Sequence, residues 1–230
     1  MKHLLSLLFA SITVSLYAQT TPPILWQCPS GGTAEDNIAR AWLCNDGSSV
    51  MCGQSTSTDG DITGNHGYYD GWVIKLDANG VKQWQKCYGG GLSDGIFAIK
   101  QTSDNGFIMA GYTGSVDGDV TGNHGGTDGW VIKTDNNGNV QWKKCIGGSK
   151  TDVFNGVNTC NDNGFILVGR TTSTDGDLAA NKGLLDGWLV KLDAAGNIEW
   201  SKNYGGSDDE YIMSAVQIDD NNFVFCGFSK

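Results

Sequence analysis

The stretch DGDITGNHGYYD, Asp59 to Asp70, is followed by GWVIK at residues 71–75, and the whole segment returns twice along the chain. The second copy begins at Asp117 as DGDVTGNHGGTDGWVIK, and the third begins at Asp175 as DGDLAANKGLLDGWLVK. The starting positions 59, 117 and 175 are equally spaced and define a 58-residue repeat. A fixed period of this length indicates a repeat architecture in which each unit packs against its neighbours.

The same period holds outside this stretch. The recurring residues are Trp26, Trp84, Trp142 and Trp200; the pairs Gly31-Gly32, Gly89-Gly90, Gly147-Gly148 and Gly205-Gly206; Asp46, Asp104, Asp162 and Asp220; and Gly53, Gly111, Gly169 and Gly227. The repeat therefore covers residues 19–230, and the sequence predicts no separate linker or second domain.

One repeat unit predicts four short strands, at Ile96–Thr102, Phe107–Thr113, Trp130–Thr134 and Val140–Cys145. The first two are joined by Ser103–Gly106, which contains Asn-Gly, the strongest short hairpin signal. Tandem four-stranded antiparallel units are typical of β-propeller blades. A β-solenoid is the alternative, but its rungs are shorter and would not contain two hairpins each.

We therefore predict an all-β fold, a β-propeller of four-stranded antiparallel blades with a 58-residue repeat that is incomplete at the C-terminus. The blades are expected at about 35–87, 93–145 and 151–204, with an outermost strand (strand D) of a preceding blade at 24–28 and a partial blade at 210–230. Because no third strand follows the last two, the chain is expected to be the front part of a longer protein. A four-bladed propeller with an imperfect closing blade is the alternative.

The N-terminal segment, residues 1–18, predicts a signal peptide. Met1-Lys2-His3 is basic, the run from Leu4 to Tyr17 is apolar, and small Ala18 precedes polar residues. This order is typical of secretory signals cleaved after a small residue, here near Ala18. A transmembrane anchor would need about 20 apolar residues, so no membrane span is predicted.

The net charge of the chain narrows the possible classes of binding partner. The net charge of −10 disfavours nucleic acid and anionic lipid, and it favours divalent cations or neutral ligands.

Among the seven cysteines, Cys87 and Cys145 are repeat equivalents, and residues in such positions are held too far apart to pair. Most of the seven are expected to be small buried apolar residues, and their spacing does not indicate zinc.

Three segments carry a resemblance to known proteins. VIKLDANGVKQW at 73–84, VIKTDNNGNVQW at 131–142 and LVKLDAAGNIEW at 189–200 are similar to the outer hairpin of quinoprotein-like propellers. That resemblance implies that Trp84, Trp142 and Trp200 dock between adjacent blades, but it implies no quinone cofactor. The whole unit resembles secreted bacterial repeat proteins of the DGDxxGNHGxxDGWVxKLDxxGNxxW type. This second resemblance implies a location outside the cell or on the outer surface of a bacterium. Many relatives end in a type IX secretion domain, and some are labelled endoglucanase-like.

The Asp-rich stretch is the best candidate binding site. A calcium loop of the EF-hand kind places oxygen ligands at alternate positions, with glycine at position 6 and a carboxylate at position 12. The first two copies follow this pattern, except that threonine replaces aspartate at position 5 and aspartate replaces glutamate at position 12. The predicted ligands are Asp59, Asp61, Thr63, Asn65 and Asp70 in the first copy, and Asp117, Asp119, Thr121, Asn123 and Asp128 in the second.

A second interpretation of this stretch needs no metal. Asp, Asn and Gly also form local turns, and such turns alone can fix a long loop. The third copy has Ala179 and Ala180 at positions 5 and 6, which weakens the calcium pattern there. The histidine of the first two copies, His66 and His124, is replaced by Lys182 in the third, which favours a solvated position.

Another set of acids, Asp36, Asp94, Asp152 and Glu210, stands at the start of each first strand. These residues would form either a ring of carboxylates near one channel mouth or, more simply, turn contacts. Glycosidases usually need two placed carboxylates, yet most aspartates here are dictated by the repeat. No catalytic residue is therefore predicted.

The sequence favours a non-catalytic secreted or cell-surface propeller module that binds carbohydrate or protein and is stabilised by calcium. One alternative is a carbohydrate-active, endoglucanase-like hydrolase. Another is a spacer or adhesin scaffold within a longer protein.

Overall fold

The computed structural model describes residues 24–178, 181–220 and 222–230, and all the regular elements in these ranges are β-strands. The strands are β1 (Asp36–Leu43), β2 (Ser49–Ser55), β3 (Asp70–Leu76), β4 (Lys82–Tyr88), β5 (Asp94–Gln101), β6 (Phe107–Thr113), β7 (Asp128–Thr134), β8 (Val140–Ile146), β9 (Asp152–Thr159), β10 (Phe165–Thr171), β11 (Asp186–Leu192), β12 (Ile198–Tyr204), β13 (Glu210–Gln217) and β14 (Phe223–Ser229). The predicted signal peptide, residues 1–18, lies outside the described residues.

Consecutive strands pair antiparallel in three four-stranded sheets, β1–β4, β5–β8 and β9–β12. A two-stranded sheet, β13–β14, follows them. The sheets recur with the period of the sequence and do not close into a ring among the described residues. The prediction of an all-β fold of repeated four-stranded blades is therefore confirmed, and the open arrangement is consistent with an incomplete propeller. We call the strands of each blade A, B, C and D in chain order.

The core lies between neighbouring blades. Val50 and Val73 of the first blade pack in one cluster with Phe107, Met109 and Trp130 of the second. The next cluster joins residues of the second and third blades in the same way. The successive A strands β1, β5, β9 and β13 also contact one another. A single blade could not bury its apolar faces alone, so each blade depends on the next.

The A–B turn follows the predicted Asn-Gly chemistry. Asn105 has φ of 63°, and the Thr102 amide donates to the Gly106 carbonyl at 2.9 Å. The A and C strands of the second blade both begin two residues earlier than expected, at Asp94 and Asp128. Aspartate is disfavoured in β-strands in general, but here hydrogen bonds to each carboxylate hold it at the start of the strand.

Residues 24–28 are not in a strand, although a D strand was expected there. A D strand needs a C strand beside it, and the described part of the chain has none in that place. The segment still makes the repeat contact, because the Trp26 ring lies against Gly80.

Candidate functional site

The aspartate at position 1 of each Asp-rich loop holds the Gly-Gly linker that precedes the blade. Asp59 accepts hydrogen bonds from the amide and the hydroxyl of Thr33, both at 2.8 Å. Asp117 accepts from the Gly91 amide at 2.7 Å, and Asp175 accepts from the Ser149 amide at 2.8 Å. These bonds tie the B–C loop to the start of its own blade.

Positions 3 and 5 of the first loop bond to the neighbouring D strand. Asp61 pairs with the Lys82 ammonium group, and this hydrogen bond lowers the pKa of the Asp61 carboxyl. The Gln85 amide group donates to the Thr63 carbonyl at 3.2 Å and also to its hydroxyl. In the second loop, Asp119 lies 3.8 Å from Lys143.

Position 7 closes the loop on the end of the B strand. The Asn65 amide donates to the Ser55 carbonyl at 2.9 Å, while its oxygen accepts from the Gly67 amide at 2.9 Å. Asn123 repeats both kinds of bond, and so does Asn181 in the third loop. This local turn is the second interpretation that the sequence allowed.

Position 4 was missed by sequence reasoning and is the apolar anchor of the loop. Ile62 is fully buried beside Trp72 and Ile74, and Val120 of the second copy is 1% exposed. The signal was present, since the third residue after the first aspartate is isoleucine, valine or leucine in the three copies.

Position 12 turns inward, away from the other predicted ligands. Asp70 is completely buried at the start of β3, and its Oδ2 accepts from the His66 amide at 3.1 Å. The Nδ1 of His66 lies 2.7 Å from the same oxygen, although its side chain is 39% exposed. His124 and Asp128 repeat this arrangement. The histidine is therefore partly solvated, as expected, but it also covers a buried carboxylate.

A second carboxylate approaches from the next blade. The acids at the start of the A strands, Asp36, Asp94, Asp152 and Glu210, each accept hydrogen bonds from a Gly-Gly linker and from the end of their own B strand. Asp94, for example, accepts from the Gly90 amide at 2.7 Å, from the Ser115 hydroxyl at 2.8 Å and from the Thr113 hydroxyl. These acids stabilise turns in the scaffold.

The two buried acids meet at a glycine. A carbon added to Gly89 would lie 2.7 Å from Asp70 Oδ1 and 2.7 Å from Asp94 Oδ2, so only glycine fits there. Asp70 Oδ1 has no hydrogen-bond partner among the described residues. Burial raises the pKa of the Asp70 carboxyl, and the bonds from His66 oppose this rise. Burial likewise raises the pKa of Asp128 at the next junction.

The predicted calcium ligands thus bond to separate partners. In the described part of the chain, no group of three or more His, Cys, Asp or Glu side chains is arranged to hold a metal ion. Calcium binding by these loops stays a prediction, and it would require several of these side chains to exchange scaffold bonds for the metal. Ala179 and Ala180 of the third loop lie outside the described residues.

Two equivalent grooves lie between neighbouring blades, with volumes of about 410 Å³ between the first and second and about 420 Å³ between the second and third. Every lining position of one groove has its repeat equivalent in the other. The first is lined by Thr63, Gly64, His66, Gln85, Lys86, Cys87, Tyr88, Asp119, Gly138, Asn139 and Val140, and the second by Thr121, Gly122, His124, Lys143, Lys144, Cys145, Ile146, Asp177, Gly196, Asn197 and Ile198.

Polar groups from both blades face each groove. His124 Nε2 lies 3.8 Å from Asp177 Oδ2, and the side chains of both residues are about one-third exposed. Lys86 donates to the side-chain oxygen of Asn139 at 2.8 Å, across the blade boundary. The repeat therefore builds the same set of hydrogen-bonding groups twice along the surface.

The cysteines do not supply a reactive group to these grooves. All seven are free thiols, and four of them, Cys44, Cys52, Cys87 and Cys160, are buried as expected. Burial raises the pKa of Cys87 and of Cys145 to about 12. Both thiols are therefore protonated at neutral pH and poor nucleophiles.

No family model and no curated protein sequence matches this chain. A protein of unknown function from Bacteroides caccae is similar in structure over 78% of this chain and 70% of its own, with 9% identity and a TM-score of 0.38. Sqt1 from Chaetomium thermophilum is similar over 80% of this chain and 41% of its own, with 14% identity and a TM-score of 0.34. A mutant of the apocarotenoid oxygenase of Synechocystis is similar over 80% and 47%, with 14% identity and a TM-score of 0.38. The chain spans less than half of the last two proteins, and similarity at this level carries no inference about function.

Proposed function

We propose that this chain is a non-catalytic binding module outside the cell or at its surface, and that its two inter-blade grooves bind a neutral polysaccharide. The observation that carries the proposal is the repetition of the groove, position by position, between successive blades. A polymer of identical sugar units presents identical groups at regular intervals, and it can engage both grooves at once. Such double engagement strengthens binding without any new type of contact.

The chemistry of the grooves suits sugar hydroxyls. Their exposed groups are amides, hydroxyls, imidazoles, carboxylates and ammonium groups, which together donate and accept hydrogen bonds. The net charge of −10 disfavours polyanions such as nucleic acid. Each volume falls within the range of about 300–1,000 Å³ that is typical of ligand sites.

The alternative of a hydrolase receives less support from the same side chains. A glycosidase needs one carboxylic acid and one carboxylate free to act on the substrate. The acids of the A strands and of loop position 12 are engaged in the scaffold, as Asp94 and Asp70 illustrate. Binding without cleavage is therefore the function that the arrangement favours.

The proposed location outside the cell rests on the signal-peptide pattern of residues 1–18. Within the described ranges, there is no helix with the length and apolar character that crossing a membrane requires.

Affinity electrophoresis of the full chain through gels that contain neutral polysaccharides tests the proposal. We expect at least one polymer to retard the protein, while assays of the same mixture show no release of reducing ends. A protein that no polymer retards would contradict carbohydrate binding. Release of reducing ends would favour the hydrolase instead.

A further inference from the structure

In the last strand, apolar side chains are exposed at positions whose equivalents in a complete blade are buried. Val224 and Phe225 of β14 are 52% and 39% exposed, whereas Ile108 and Met109 at the same positions of β6 are 0% and 1% exposed. β6 is covered because β7 pairs with it and a further blade packs against it. In the described part of the chain, β14 pairs only with β13. Its outer edge is therefore an unpaired strand edge beside an uncovered apolar face.

The junctions between complete blades show which groups cover such a face. At the first junction, three side chains of β4 donate to the C–D turn of the next blade. Trp84 Nε1 donates to the Asn136 carbonyl at 3.1 Å, and the Tyr88 hydroxyl donates to the Gly138 carbonyl at 2.7 Å. Between them, the Lys86 ammonium group donates to Asn139 Oδ1 at 2.8 Å.

The contact recurs at the other junctions. Trp142 of β8 lies against Gly196, which has φ of 82° in the next C–D turn, and Lys144 donates to Asn197 at 3.3 Å. Trp26 lies against Gly80 in the same way. A side chain on any of these glycines would collide with the indole, so a tryptophan on a turn glycine is the recurring element of the junction.

At the C-terminal side of the third blade, the side chains at the three donor positions are present, but no C–D turn lies opposite them in the described part of the chain. Trp200, Lys202 and Tyr204 are the repeat equivalents of Trp142, Lys144 and Ile146, and Trp200 contacts Phe223 as its equivalents contact Phe107 and Phe165. A cavity of about 420 Å³ opens between these three donors and the pair Phe223 and Phe225. Among the described residues, no glycine turn lies against Trp200. Lys202 is exposed, and Tyr204 is 39% exposed.

The backbone sets the register of a strand that would add to β14. In all three complete blades, the B-strand glycine lies opposite the tryptophan of the C strand, as Gly53 opposes Trp72. The last residue of the B strand lies opposite the first aspartate, as Ser55 opposes Asp70. Gly227 and Ser229 occupy these two positions in β14.

We infer that β14 and the three donors of β12 form a docking site for a β-hairpin of the repeat's own C–D type. The occupant carries Asp-Gly-Trp, two aliphatic residues and Lys in its first strand, followed by a turn with glycine. Its first strand adds antiparallel to β14, with tryptophan opposite Gly227 and aspartate opposite Ser229. Its turn glycine lies on Trp200, and its turn carbonyl and asparagine oxygens accept from Tyr204 and Lys202.

A peptide of residues 186–204, DGWLVKLDAAGNIEWSKNY, is a direct probe because it is such a hairpin and contains no cysteine. We expect the fluorescently labelled peptide to bind the full chain saturably in an anisotropy titration. Lys202→Ala removes one charge-assisted bond and should weaken binding about five-fold. Lys144→Ala is the matched control, because Lys144 already bonds to the turn of the third blade, and it should leave the affinity unchanged.

Three outcomes would overturn the inference. One is no saturable binding of the peptide. Another is equal binding of a peptide in which Trp188 is replaced by serine, because the register depends on the indole. The third is a stable dimer of the free chain in analytical ultracentrifugation that leaves no capacity for the peptide, since the face would then be an interface between two copies.

Discussion

The aspartate side chains described above mainly accept hydrogen bonds from the protein itself. Asp94 is fully buried and accepts hydrogen bonds from one amide of the linker, from a hydroxyl of the B strand and from a hydroxyl just beyond that strand. A buried carboxylate is tolerated only when such donors replace water. The residue therefore fixes the entry into the A strand rather than offering a group to a ligand.

Replacing Asp94 by asparagine should lower the free energy of unfolding by about 2 kcal/mol, because an amide group cannot accept from all these donors. Urea denaturation followed by tryptophan fluorescence measures the change. The control is Asp208→Asn at an exposed position, which should change stability by less than about 0.5 kcal/mol. Equal effects of the two substitutions would contradict the role of Asp94.

The pair His124 and Asp128 predicts a pH dependence. The hydrogen bond to Asp128 raises the pKa of His124 above 6.5, and Asp177 and Asp152 add to the rise, while partial burial opposes it. A raised pKa means that protonation stabilises the fold. This stabilisation is fully present below pH 6.5 and is lost as the pH rises through the folded pKa.

Melting temperatures between pH 5.5 and 8.5 test this pair. The unmodified chain should lose stability relative to His124→Gln as the pH rises, by roughly 0.2–1 kcal/mol, because the imidazole is partly exposed. Ionisable groups away from this pair are common to both proteins and cancel in the comparison. Parallel curves across the range would contradict the prediction.

At the scale of the elements, the Asp-rich loop is held at both ends and anchored in the middle. Its first aspartate bonds to the linker, its asparagine bonds to the B strand, and Ile62 fills the core beside Trp72. The protein's own contacts therefore fix this loop near its start, in its middle and at its asparagine.

Ile62→Ala should cost about 2–4 kcal/mol in unfolding free energy, since the side chain is fully buried and leaves a cavity. Val116→Ala in the equivalent loop region is the control, because Val116 is 75% exposed. Chemical denaturation of both variants measures the difference. A cost below about 1 kcal/mol for Ile62→Ala would contradict the anchoring role.

The calcium hypothesis is tested at the same scale. If a loop binds calcium, the free energy of unfolding in calcium should exceed that in chelator by about 1 kcal/mol at five times the dissociation constant. Asp117→Asn should remove the part of this gain that comes from the second loop. Identical melting midpoints in millimolar calcium and in chelator would contradict calcium binding.

The sequence predicts the elements better than it predicts the contacts of particular side chains. Strict recurrence of Trp84, Asp104 and Gly111 is visible in the sequence, and it marks the hairpins because turn and packing geometry are local. The inward turn of Asp70 was not predictable in this way, because its burial depends on tertiary packing and its hydrogen bonds come from His66 of the loop. The spacing of alternate oxygens resembled that of a metal-binding loop, although in the structure these five residues bond to separate partners within the protein.

For the whole molecule, the two junctions between complete blades reuse one set of contacts. A tryptophan of one D strand lies on a turn glycine of the next blade, and two buried acids meet at the linker glycine between blades. The grooves are a consequence of the same repetition, because identical neighbours enclose identical surfaces. Under the proposed function, the strength of binding at this scale depends on the number of grooves that one ligand can reach.

The most direct test of the account is affinity electrophoresis, in the retarding polysaccharide, of three variants: Asp119→Ala in the first groove, Asp177→Ala in the second, and both together. We predict that each single substitution weakens retardation to a similar extent, and that the double substitution abolishes it while the protein stays folded by circular dichroism. Full retardation of the folded double variant would contradict the claim that the repeated grooves are the binding site.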